Sequence, residues 1–171
     1  MAIDLGDPLR WRDSLPARQP ASSEVAAGAV AGLTGGLVAW GVAMVLLPEG
    51  TGGLRLLRLV AATLFGPYAI APENVGLPAF VGALLVGFAA IAYGLVFVSI
   101  LKPAAPPRRA IGVGAVYGAV LYVPAWLGIV HVFDPLLYQA GQGRGLAILG
   151  LHVLYGATMG LVVPFLRRIL P

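Results

Sequence analysis

The residues best placed to do chemistry lie in the last third of the sequence: His131, Asp134, Tyr138, Gln142 and Arg144 fall within fourteen positions, and His152 follows eight residues later. His152 is the one readily titratable residue within the apolar stretch 145–166, four residues before Gly156 and eight before Gly160. That spacing puts it on a helix face of small residues, turned toward protein and away from lipid. An imidazole there can ligate haem, a chlorophyll-type pigment or a metal ion, or relay a proton. It can equally be structural, hydrogen-bonded to a helix carbonyl or to a tyrosine such as Tyr93, Tyr117, Tyr122 or Tyr155. Bis-histidine haem ligation needs a second histidine inside the membrane, and His131 stands at the end of its helix instead. His131 and Asp134, at i and i+3, could share a metal ion with His152, but neither the residue set nor the spacing matches a zinc-protease pattern such as H-E-x-x-H. Asp134-Pro135 also reads as a helix stop followed by a turn, and the group as a solvated outer cluster. His152 is therefore the candidate cofactor residue, and His131, Asp134, Tyr138 and Arg144 form the candidate outer cluster. No metal-ligand set and no catalytic residue is assigned.

Other patterns point away from chemistry. Gly112, Gly114 and Gly118 imitate a nucleotide-binding loop but lack the preceding strand and the G-x-G-x-x-G spacing. The glycine-rich run 141–145 reads as a flexible turn before a helix, since no lysine accompanies it to hold a phosphate. The chain has no cysteine, which excludes disulfides, thiolate metal sites, iron–sulfur clusters and cysteine nucleophiles. No apolar stretch contains Asp, Glu, Lys or Arg, the groups that ion-coupled pumps place in the membrane. The chain is expected not to be an enzyme and to need no cofactor, with haem or a chlorophyll-type pigment at His152 as the alternative.

The elements that position these residues follow from hydropathy. Of 171 residues, 59% are hydrophobic and 11% charged, with a mean hydropathy of +0.91, so water is not the main solvent. Residues 25–47, 78–101, 110–130 and 145–166 are each long enough to cross ~30 Å of hydrocarbon as a helix. The expected fold is all-α: four transmembrane helices arranged as two hairpins, with a 1–24 extension ahead of a 25–171 membrane domain. Residues 1–24 mix Asp4, Asp7, Asp13 and Glu24 with Arg10, Arg12 and Arg18, unlike a secretory signal, so the first helix reads as a permanent anchor. Residues 54–65 carry Arg55 and Arg58 on one helical face and are too short to span. They read as an interfacial helix or as a cap across the bundle mouth, ended by Gly66 and Pro67.

Cations set the orientation, because cytoplasmic loops retain them. Arg10, Arg12, Arg18, Lys102, Arg108, Arg109, Arg167 and Arg168 share one side, against Arg55, Arg58 and Arg144 on the other. Both termini are therefore expected in the cytoplasm. The high isoelectric point reflects this retention and does not argue for nucleic acid.

Small residues recur at helical spacing: Gly28, Gly32 and Gly36 on the first helix, Gly114 and Gly118 on the third, Gly156 and Gly160 on the fourth. Such ridges let helix backbones approach closely within the bundle, or offer a face to another membrane subunit. A shift of 86 residues superposes Gly28, Gly32 and Trp40 on Gly114, Gly118 and Trp126, and a shift of 62 superposes Tyr93-Gly94 on Tyr155-Gly156. Two helical hairpins of common origin would give this pattern. Pro124 and Pro164 should free the carbonyls of Val120 and Gly160 and bend their helices.

The run from Leu151 to Val162 holds a histidine, then Tyr-Gly, then a second glycine four residues on, and it resembles a pattern in YagU-like small bacterial inner-membrane proteins. The glycine-rich first helix and the segment after it are similar too. The resemblance implies a four-helix fold and a bacterial inner membrane, and no activity. Two functional classes remain: a non-catalytic accessory or scaffold subunit of a larger membrane complex, such as a bioenergetic one, and a small transporter, channel, or haem- or pigment-binding protein centred on His152. The expected partners are the lipid bilayer and other membrane subunits.

Overall fold

The computed structural model describes residues 21–46, 53–102 and 105–170. Residues 1–20 of the extension, the helix boundary at Leu47 and Pro48, the connection up to residue 52, and Pro103 lie outside the described residues.

All regular structure among the described residues is helical. It comprises α1 (Ala21–Leu46), α2 (Gly53–Phe65) with a 3-10 continuation (Gly66–Ile70), α3 (Gly76–Ile100), α4 (Pro107–Phe133), α5 (Pro135–Ala140) and α6 (Gly145–Ile169). Five segments are long and apolar enough to cross a membrane: Ser22–Leu46, Gly53–Ile70, Gly76–Ile100, Pro107–Phe133 and Gly145–Ile169. Large apolar side chains such as Leu37, Val45, Phe88, Val116 and Phe165 are more than half exposed on the outside of the bundle. A belt of this kind is costly in water and natural in hydrocarbon, which is the pattern of a helical membrane protein.

Local sequence accounts for the breaks between helices. Pro107 opens α4 in its first turn, where its missing N–H costs nothing, with Pro106 extended before it. Gly66 adopts φ of 55°, a left-handed conformation that releases α2 from its helical course, and Pro67 prevents its resumption. The segment then folds back. Arg58 in α2 donates from Nε to Ala69 O at 2.8 Å and from Nη2 to Ala71 O at 2.6 Å. In a straight helix those carbonyls would stand ~17–20 Å along the axis, beyond an arginine's reach.

Pro124 changes α4 in mid-course. It cannot donate to Val120 O, which accepts instead from Val123 N–H, and residues Val123–Val130 continue as a π-helix. At its far end His131 N–H bonds Trp126 O, five residues back. α6, by contrast, continues through Pro164 to Ile169. Where the sequence reads as a helix stop and a turn at Asp134-Pro135, a further helix, α5, begins with Asp134 as its N-cap.

The helices form two glycine-packed hairpins, α1 with α3 and α4 with α6. A Cβ on Gly32 would collide with Ala90 O, and one on Gly94 with Gly28 O. In the second hairpin a Cβ on Gly118 would collide with His152 O, and those on Gly114 and Gly156 with each other's carbonyls. These are equivalent contacts under the shifts of 86 and 62 residues. Gly160 meets the backbone of Ala110 and Ile111. Gly36 is less tightly held: its Cβ would stand 3.2 Å from that of Ala90. Gly35 beside it makes the close approach, to the backbone and ring of Tyr155 in the other hairpin. Gly82, which belongs to no ridge in the sequence, lets α3 touch the backbone of α2 at Leu57.

One end of the bundle is tied by Arg167. Its side chain is 7% exposed and donates to Glu24 Oε2 from Nη2 at 2.8 Å and from Nε at 3.2 Å. Nη2 also reaches Val98 O and Leu101 O, and Nη1 reaches Lys102 O. Val98 O lies in the last turn of α3, where carbonyls lack partners within the helix, and Leu101 and Lys102 follow directly, so the guanidinium caps this end while pairing the first turn of α1. The start of α1, the end of α3 and the end of α6 thus lie together.

Candidate ligand-binding cavity

Beyond the glycine contacts, toward the end that carries α2 and α5, the hairpins part around a cavity of about 470 Å³. Its walls pair equivalent positions of the two hairpins: Trp40 with Trp126, Ala90 with His152, and Tyr93 with Tyr155. Ala39 and Ala125 form a further pair. On the other side of the contacts Phe97, Met159 and Val163 are fully buried and close the core toward the Arg167 end.

Hydrogen bonds fix the wall. Tyr155 Oη donates to Ala90 O at 2.8 Å, and Tyr117 Oη donates to Tyr93 O at 2.8 Å. Both bonds run from the second hairpin to α3 and hold the hairpins in register. His152 uses Nδ1 toward Ile148 O, 2.8 Å away on its own helix, and its ring meets that of Tyr122 edge-on at 5.7 Å. A carbonyl can only accept, so Nδ1 carries the proton and Nε2 keeps its lone pair. Nε2 has no partner among the described residues. His152 therefore offers a nitrogen acceptor at a largely apolar wall whose other polar residues include Thr63, Tyr93 and Arg144.

The outer cluster does not converge on His152. His131 is exposed and stacks on Tyr138 with centroids 4.3 Å apart, and Tyr138 lies 5.9 Å from Trp126. Gln142 is exposed in the turn before α6, and Arg144 is the N-cap of α6 and reaches the cavity wall. Asp134 is 2% exposed, so it is not part of a solvated surface. Its Oδ1 accepts from Leu137 N at 3.0 Å, and its Oδ2 from Thr63 Oγ1 at 2.8 Å. It latches α5 to α2, and the two short helices together roof the cavity. Among the described residues no three of His, Asp and Glu come close enough to share a metal ion, so His131, Asp134 and His152 do not form the site considered from their spacing. Thr63 was not singled out in the sequence. Its partner lies 71 residues away, and nothing local signals the pairing.

Comparison of the chain with family models, curated proteins and solved structures gives no match. The functional reading rests on the cavity and its residues.

Proposed function

We propose that this chain is a non-catalytic membrane protein of four spans that holds a largely apolar small molecule between its two hairpins. The observation that carries the reading is the cavity. Its size falls within the ~300–1,000 Å³ of small-molecule sites, and apolar walls with a few polar groups are their usual composition. Repeat interfaces are also where membrane proteins built from duplicated units bind their ligands. Of the two classes open at the level of sequence, the cavity favours a binding protein or transporter centred on His152 over a purely structural accessory subunit.

Four spans, with α2 and its 3-10 continuation as a cap, agree with two features. The contacts of Arg167 with Glu24 and Lys102 O bring those ends together, which fits an even number of crossings between Glu24 and Arg167, with α1 and α3 each crossing once between Glu24 and Lys102. The fold-back at Gly66 leaves α2 only ~20 Å long, short of the hydrocarbon thickness. The reading extends to a bacterial inner membrane with both termini cytoplasmic, supported by the eight-to-three cation count and by the YagU-like pattern. A cysteine replacing Ala105 should react with an impermeant thiol reagent in inverted vesicles and stay unlabelled in intact cells; the opposite labelling would overturn the orientation.

Native mass spectrometry of protein released from mild detergent tests the binding reading. The wild type should carry a non-protein mass at about one per chain, and Ala125→Trp, which fills the cavity, should lose it. A folded wild-type protein of bare mass, or an adduct unchanged by the tryptophan, would contradict the reading.

A further inference from the structure

We propose that the molecule bound here is a lipophilic alcohol or phenol, an apolar body whose one hydroxyl donates a hydrogen bond to Nε2 of His152. The inference rests on the binding reading above and specifies its chemistry.

The two hairpins line the cavity in pairs. Tryptophan faces the cavity from both hairpins, and so do tyrosine and alanine at equivalent positions. The chemical departure among these pairs is Ala90 against His152, so the polar end of any ligand is drawn to the second hairpin. The tyrosine pair supplies less. Tyr155 spends its proton on Ala90 O, leaving Tyr93 as the paired hydroxyl not engaged as a donor to a described residue.

His152 then selects by proton inventory. Its Nδ1–H is committed to Ile148 O, which leaves a lone pair and no proton at Nε2. An acceptor without a partner at a largely apolar wall is unfavourable, and a ligand hydroxyl removes that penalty. An ether, ester or ketone brings lone pairs only and leaves Nε2 unsatisfied. An amine cation would find no carboxylate, because no Asp or Glu lines the cavity. The two indoles and the aliphatic walls suit a ring or branched hydrocarbon body.

Paired probes differing by one methyl group test this: 4-nonylphenol and its methyl ether, 4-nonylanisole. Binding is read from the fluorescence of Trp40 and Trp126 in full-length protein carrying Trp11→Phe, in mild detergent. The phenol should bind about tenfold more tightly than the ether. His152→Leu should erase that difference while retaining ether binding. Should that variant fail to fold, the wild-type comparison stands alone. Equal affinity of the two probes for the wild type would overturn the hydroxyl assignment and leave the binding reading intact. Binding of neither probe would overturn both.

Discussion

Replacing Gly156 with leucine is expected to destabilise the folded bundle by about 3 kcal/mol, the upper end of the cost of overpacking. At Gly156 even a Cβ would collide with Gly114 O and crowd the backbone of Gly118, and neither can move without parting α4 from α6. Leucine's three heavy atoms beyond the Cβ cannot be housed by rotating a side chain, because the opposing wall is backbone. Gly150, six residues earlier on the same helix, is exposed with nothing within 4 Å of its Cβ position, and leucine there should change stability by less than ~0.5 kcal/mol. Unfolding of both variants by titration with a denaturing detergent separates the two. Equal midpoints would mean that the hairpin is not held by backbone contact at this glycine.

Arg167→Met should cost about 2–4 kcal/mol, because the change does more than remove a surface charge. The wild-type guanidinium pairs Glu24 and caps three carbonyls at the end of α3. Methionine fills similar space but leaves the half-covered Glu24 carboxylate and those carbonyls without this donor. Arg168, its exposed neighbour, is the internal control, and methionine there should have little effect. Thermal unfolding in mild detergent reads the difference. If the two variants melt together, Arg167 does not join α1 to α3 and α6, and the parity argument for four spans loses its anchor.

These residues also show where sequence reading stops. The long helices are legible because crossing hydrocarbon demands some twenty uninterrupted apolar residues, a signal carried within each segment. The glycine ridges are legible because helical spacing puts Gly114 and Gly118, or Gly156 and Gly160, on one face. Which neighbour fills a ridge depends on tertiary contact. The tight approach between hairpins therefore falls on Gly35, and Gly82 meets Leu57 without any ridge. Asp134 reads as part of a solvated cluster and Arg167 only as a cytoplasmic cation, because their partners, Thr63 and Glu24, are 71 and 143 residues away. The cavity left a faint trace. Trp40 and Trp126 align at the 86-residue shift, but that they line one space follows only once the hairpins are packed side by side.

The most direct measurement is a side-chain-resolution structure of the protein purified from its membrane in mild detergent. The account predicts a non-protein molecule between Trp40 and Trp126, with an oxygen within hydrogen-bond distance of Nε2 of His152. Hairpins closed directly on each other, with the two indoles meeting across the space, would contradict it.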